Sequence, residues 1–230
     1  MQTEGTLALR YAAVMDKYRR HWNQIDAASF DQMHAGWREL PDRGQLAQLT
    51  AGVAGDSRHA PFNILEIGCL TGFNHVLARE QMDDDTAGRA RFYGLEPNVG
   101  AVAYGRKHFP WITFMEGTAE DMYAGVLELP ESVDLCVVSR VFMILHPREV
   151  AASLTFMSQH VERFVICDDI MNLDGDVAAI RTPGDFEIMH PFRKILAGVG
   201  FEVERVELAR VPDRECSGFI VARRKGIEPA

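Results

Sequence analysis

The stretch that decides the fold reads Asn63-Ile64-Leu65-Glu66-Ile67-Gly68-Cys69-Leu70-Thr71-Gly72. Asn63 to Ile67 is a short apolar run that opens into a turn carrying two glycines, and the residues from Asn74 to Met82 follow with helical spacing. The order is strand, turn, helix. Outward from it the alternation repeats. Arg91 to Glu96, Ile112 to Met115, Val133 to Ser139 and Phe164 to Cys167 read as strands, with helices at Ala101 to Phe109, Pro147 to His160 and Phe192 to Val199. Apolar strands separated by helices of about ten residues form a parallel sheet covered on both faces. The tail departs from this pattern: Phe201 to Val211 and Gly218 to Arg223 are joined by Pro212-Asp213-Arg214-Glu215 with no helix between, which predicts antiparallel pairing. The expected fold class is α/β, with a mostly parallel seven-stranded sheet and an antiparallel C-terminal strand.

Upstream, Leu9, Ala12, Ala13, Tyr18, Trp22, Ile25, Phe30, Met33 and Trp37 recur at roughly helical spacing, which predicts two helices between Thr6 and Leu40. Pro41-Asp42 then reads as a break, and Gln45 to Val53 as a short helix ending near Gly55. Residues 1–55 are accordingly read as an N-terminal helical cap and residues 56–230 as the main domain. Asp83 to Gly88 reads as an exposed acidic loop, lengthening the interval between the glycine turn and Glu96.

The chain has 230 residues, 47% hydrophobic and 25% charged, enough to bury a full core in one domain. Its formal net charge of −9 repels polyanions, so nucleic acid is not an expected partner. Cys69, Cys136, Cys167 and Cys216 form no CxxC pair, and three lie in or beside apolar runs, which fits a reduced, cytoplasmic protein. The N-terminus has no basic region followed by an apolar one, and no segment approaches the ~18 apolar residues of a membrane span. A membrane is not an expected partner, and the sequence leaves the oligomeric state open.

In an open α/β sheet, ligands bind beyond the carboxyl ends of the strands, where the turn Gly68 to Gly72 sits. Glycine permits a tight turn and close backbone approach, and the helix behind it offers free N–H groups. The loop lacks the three glycines of a dinucleotide fingerprint and the Lys-Ser/Thr ending of a phosphate-binding loop. Glu66, two residues before the first glycine, would repel a phosphate but either organises the turn or faces a cationic ligand. Glu96 ends the second strand where an acidic residue accepts hydrogen bonds from ribose hydroxyls; by itself it is equally an ordinary strand-end carboxylate. Thr118 to Asp121 either frames an adenine ring or is simply a helix N-cap with first-turn acids.

Taken in order, Leu65 to Gly72, Gly94-Leu95-Glu96-Pro97, Gly117-Thr118-Ala119-Glu120-Asp121 and Asp134-Leu135-Cys136-Val137-Val138-Ser139 resemble class I, Rossmann-like S-adenosylmethionine-dependent methyltransferases over roughly residues 63–224. The resemblance implies S-adenosylmethionine as cofactor and S-adenosylhomocysteine as product. It implies cofactor contacts from Glu66, Gly68, Cys69, Leu70 and Gly72 to the methionine part, from Glu96 and Pro97 to the ribose, and from Thr118, Ala119 and Glu120 around the adenine, with Ser139 under the methionyl group. Leu70 departs from the family pattern, standing where a second glycine is usual. Either its backbone has negative φ, or the pocket is altered.

Methyl transfer is an in-line displacement, so the protein must hold a nucleophile opposite the sulfur and, for a hydroxyl, remove its proton. Candidate catalytic residues are His190, His146 and Asp169. His190 ends the stretch from Thr182, read as a substrate loop, or else packs beside Phe192; His146 is otherwise a helix-start histidine. Arg140 clamps a substrate carboxylate or pairs with a neighbouring acid, and Tyr18 and Trp22 on the cap either close over the substrate or only pack. Asp168, Asp169, Asn172, Asp174 and Asp176 cluster as divalent-cation ligands do, but Ser139-Arg140 stands where catechol-type enzymes place a further acidic ligand, so no metal is expected. The expected partner is a small-molecule substrate, with oxygen as the acceptor atom. The competing readings are an inactive or regulatory S-adenosylmethionine-binding module and a nicotinamide-dependent oxidoreductase; the latter predicts a glycine at position 70.

Overall fold

The computed structural model describes residues 24–180, 187–210 and 217–226, together with residues 17 and 20–22. Its centre is a seven-stranded sheet of order β3-β2-β1-β4-β5-β9-β8. The strands are β1 (Phe62–Ile67), β2 (Ala90–Glu96), β3 (Ile112–Glu116), β4 (Val133–Ser139), β5 (Val161–Asp169), β8 (Phe201–Leu208) and β9 (Ser217–Arg224). Strands β1 to β5 pair in parallel, and β9 runs antiparallel to both β5 and β8. The chain reverses order beside β1, between β2 and β4, and in open α/β sheets the carboxyl ends of the strands at such a reversal are where ligands bind.

The helices are α1 (Ala27–Arg38), α2 (Pro41–Gly55), α3 (Phe73–Glu80), α4 (Asp84–Arg89), α5 (Val99–His108), α6 (Ala119–Tyr123), α7 (Pro147–Met157) and α8 (Phe192–Gly198). One face of the sheet packs Leu65, Ile67, Phe164 and Ile166 against Met122 of α6, Val150 and Leu154 of α7, and Phe192 and Leu196 of α8. The other packs Ile64, Phe92, Val165 and Phe219 against Leu46, Leu49 and Val53 of α2 and Val102 of α5. The alternation between the two clusters along β1 and from Phe164 to Cys167 of β5 is why these strands read as continuous apolar runs: both faces are covered.

Four expectations are corrected. Pro41 does not break a helix but starts one, at a position where its missing N–H would have had no partner. Leu46, Leu49 and Val53 of that helix share a core cluster with Phe62 and Ile64 of β1. Asp83 to Gly88 is not a loop: Asp83 accepts a hydrogen bond from the Thr86 amide at 2.8 Å and caps α4, whose first turn carries Asp84 and Asp85. Strand β5 runs on through Asp168 and Asp169, which pair with Gly218 and Ser217 of β9. The segment before α8, read as a continuous substrate loop, contains β7 (Ile188–Met189), which pairs antiparallel with β6 (Ala179–Ile180). Residues 181–186 of that stretch, with Tyr18 and Cys216, lie outside the described residues.

Candidate cofactor site at the end of the first strand

The turn after β1 is held by its own backbone. The Gly68 and Cys69 amides donate to the Leu95 carbonyl at 2.8 and 3.1 Å, and the Gly72 amide donates to Cys69 at 2.8 Å. Gly68 (φ 69°) and Gly72 (φ 78°) are left-handed. A Cβ on Gly68 would stand 2.4 Å from Val141, and one on Gly72 2.8 Å from Ile112, so space and torsion both require glycine. Leu70 resolves the alternative posed by the sequence: its φ is +49°, so a branched side chain occupies the left-handed region. That conformation costs a non-glycine residue ~1–2 kcal/mol. Its side chain is only 6% exposed and packs with Phe30, Ala101 and Tyr104, beside Trp22, Ile25, Met33 and Trp37.

Glu96 closes β2 with 5% exposure. One carboxylate oxygen accepts the Leu70 amide and the other the Asn98 amide, each at 2.9 Å. Each oxygen keeps a second lone pair, as a partner of two ribose hydroxyls requires. Burial pushes this carboxyl above its ordinary value, against the pull of the two amides. Pro97 follows directly. Thr118 caps α6 through a reciprocal pair, its amide donating to Asp121 at 2.8 Å and its hydroxyl accepting the Asp121 amide at 3.1 Å. Ala119 and Glu120 form the first turn beyond it. The Gly117 amide donates to the Glu96 carbonyl, which brings this turn beside the end of β2. Ser139, half-buried, ends β4 opposite Cys167 of β5.

Under the loop lies a polar cluster that the sequence did not announce. Glu66 is 0% exposed, and alternation along β1 turns it to the α2 side. Asn74 bridges it to Arg43, donating to the Glu66 carboxylate and accepting from the Arg43 guanidinium at 2.9 Å. Arg43 lies over the Trp37 ring at 4.5 Å. Arg140, itself left-handed at φ 59°, donates to Asp42, so its side chain pairs with an acid, one of the two alternatives posed for it. Among the described residues, buried Glu66 Oε2, Asp42 Oδ1 and Arg43 Nε have no hydrogen-bond partner. Such groups cost stability unless something satisfies them. Burial pushes the Glu66 carboxyl up to about 7, against the downward pull of Asn74 and Arg43. Burial and neighbouring Arg140 together push the Arg43 guanidinium below its ordinary value.

The three candidate catalytic side chains are each engaged in local structure. His190 is 0% exposed, and its Nε2 donates to the Phe142 carbonyl at 2.8 Å in the turn after β4; burial holds it down at about 4. Its ring lies 5.6 Å from that of Phe192, the packing position weighed for it. His146 caps α7, accepting the Arg148 amide on Nδ1 at 3.2 Å while its own amide donates to Glu149 at 2.8 Å. Asp169 is buried and accepts the Met171 amide at 2.9 Å. Its neighbour Asp168 accepts the Met143 and Asp169 amides at 3.0 and 2.7 Å, tying the end of β5 to the turn after β4. Trp22 belongs to the cluster around Leu70, and its carbonyl accepts from the Asn98 side chain.

The residues that sequence reasoning missed are Asp42, Arg43 and Asn74, and also His34 and Thr71, whose ring nitrogen and hydroxyl lie 2.7 Å apart. Their signal in the sequence is weak, because Pro41-Asp42 reads as a break and not as a helix start.

No family model and no curated protein matches the sequence. Solved structures do match in fold. A magnesium protoporphyrin IX methyltransferase from Synechocystis PCC 6803 with bound SAH superposes with a TM-score of 0.64 at 16% identity, covering 92% of this chain and 100% of that one. The 1,6-didemethyltoxoflavin-N1-methyltransferase of Burkholderia thailandensis gives 0.63 at 13% identity, over 93% and 88% of the two chains. CalS10, an amino pentose methyltransferase of Micromonospora echinaspora crystallised with SAM, gives 0.59 at 15% identity, over 85% and 97%. With the strand order and reversed β9, these likenesses show that the chain has the class I methyltransferase fold.

Proposed function

We propose that this chain is an S-adenosylmethionine-dependent methyltransferase acting on a small molecule. The observation that carries the reading is the set of orphaned buried groups beside the glycine turn. Among the described residues Glu66 Oε2 has no hydrogen-bond donor, the His75 Nε2 standing 3.8 Å away, and Arg43 Nε has no acceptor, while Asn74 links the two side chains. An α-amino-acid zwitterion supplies both, its ammonium to the carboxylate and its carboxylate to the guanidinium. A nucleotide phosphate would meet the Glu66 carboxylate instead. Glu96, with lone pairs open on both oxygens, adds a ribose acceptor at the end of the neighbouring strand. Amino acid and ribose together describe S-adenosylmethionine. The ligands named with the matching structures support it.

When bound, S-adenosylmethionine supplies an electrophilic methyl group on a sulfonium. Arg43 and Glu66 orient its amino-acid end, Glu96 fixes the ribose, and the Gly68 to Gly72 backbone permits close approach. The matching proteins methylate porphyrin, toxoflavin and amino-pentose compounds by their names, in keeping with a small-molecule acceptor. Oxygen is the acceptor atom we expect.

Calorimetric titration of the purified chain with S-adenosylhomocysteine and, separately, NADH tests the cofactor. Binding of the first alone is the expected outcome; binding of NADH alone overturns the proposal. Glu96→Ala is expected to weaken S-adenosylhomocysteine by ~1–3 kcal/mol, through loss of a charged acceptor. Methyl transfer from labelled S-adenosylmethionine to a metabolite extract, with mass analysis of the product, tests the activity and reads out the acceptor atom. Tight binding without transfer to any acceptor would instead establish the regulatory-module reading.

A further inference from the structure

We infer that docking of the cap helix α1 and formation of the cofactor-competent turn are one two-state event, coupled through Leu70; the role given to the turn rests on the proposed function. The starting observation is Leu70, a branched residue at φ +49°. A residue stays in this region when its surroundings over-determine it. Two contacts do so. Its amide donates to Glu96 at 2.9 Å, and its side chain is buried in a cluster to which Phe30, Met33 and Trp37 of α1 contribute. Rotation about φ carries the side chain relative to the amide, so a Leu70 relaxed to negative φ would keep one contact and lose the other.

The surrounding contacts tie the same elements together. Thr71, next in the turn, is 0% exposed with its hydroxyl 2.7 Å from His34 Nε2 of α1. The His34 ring stacks on Phe73, which opens α3, at 4.1 Å and 4°. Asp31 of α1 accepts from the Tyr104 hydroxyl of α5, and the Trp22 carbonyl accepts from Asn98, whose amide also holds Glu96. The cap therefore grips the glycine turn and the residues after β2, and it also holds α5 through Asp31 and the end of α3 through Arg38 and Glu80. A glycine at position 70 would satisfy the backbone without any cap. Leucine makes the turn's geometry depend on α1, and by linkage a ligand that favours the turn favours the docked cap equally.

Hydrogen exchange of the full chain, read peptide by peptide, tests this with and without S-adenosylhomocysteine. Without ligand, Phe30→Ala is expected to speed exchange at residues 69–73 by about tenfold or more while leaving β4 and β5 unchanged. Asp31→Asn, on the exposed side of α1, should act in the same direction more weakly, and serves if Phe30→Ala proves broadly unstable. In the wild type, S-adenosylhomocysteine is expected to slow exchange across α1. In Leu70→Gly, compared at a concentration of S-adenosylhomocysteine that calorimetry shows to saturate that variant, the slowing is lost. Unchanged exchange at residues 69–73 in both cap variants overturns the coupling, as does equal protection of α1 in Leu70→Gly. If the wild type binds no S-adenosylhomocysteine, the proposed function falls, while the ligand-free comparison still decides the coupling.

Discussion

Under the proposed function, Glu66 and Arg43 are the single residues that bind the amino-acid end of the ligand. The Glu66 carboxyl ordinarily titrates at 4.5 and is pushed up to about 7 by burial. A folded-state value above the unfolded one means that the folded chain holds the proton more tightly. The associated stability is fully present below the unfolded value and is lost as pH rises through the folded one. Denaturant unfolding of the ligand-free protein should therefore show wild type losing stability relative to Glu66→Gln between about pH 5 and 8. Parallel curves would remove Glu66 from this account. An ammonium placed against Oε2 favours the ionised form, so binding of S-adenosylhomocysteine near neutral pH should release protons, seen as a calorimetric heat that depends on the buffer. Arg43→Ala should weaken that binding by about 1.5–3 kcal/mol, the range for hydrogen bonds to charged groups, with partial recovery in Arg43→Lys. Affinity unchanged in Arg43→Ala would assign the carboxylate elsewhere.

The elements show which local signals are strong. Strand β4 was expected and found at Val133–Ser139, and β1, β2 and β3 differ from expectation by a residue at an end, because apolar runs bounded by turns leave little freedom. Helix starts were harder. Pro41 and Asp83 both look like breakers, yet each occupies a position where a breaker is a good starter. Thr118 is the helix N-cap, one of the two readings offered for it, and the Gly117 amide sets that turn beside the end of β2. Thr118→Ala removes one half of a capping box and should cost about 1 kcal/mol in denaturant unfolding. An unchanged midpoint would mean that the five-residue α6 is held by Met122 packing alone.

At the scale of the whole molecule, acid response follows from where the histidines lie. His34, His75 and His190 are each pushed down to about 4, burial being the first cause in every case. Here the unfolded chain binds the extra protons, so each takes stability away as pH falls from about 6.5 toward 4. His59 acts oppositely: its hydrogen bond with Asp134 raises it, and that contribution is lost as pH rises through its folded value. In His75→Gln, which keeps a donor for the Tyr93 carbonyl, the fall in stability across this acid range should be shallower than in wild type. An identical slope would exclude His75 as a contributor. None of the described helices is long and apolar enough to cross a membrane. The order of strands and helices, the reversed last strand, the glycine turn and the acidic end of β2 are legible in the sequence, because each is written in residues adjacent along the chain. Tertiary structure alone decided that Asp42 meets Arg140 from 98 residues away, that Arg43 reaches Glu66 through Asn74, and that Leu70 turns into the cap. These are contacts between elements. They depend on how α1 and α2 settle against the sheet, which no local periodicity records.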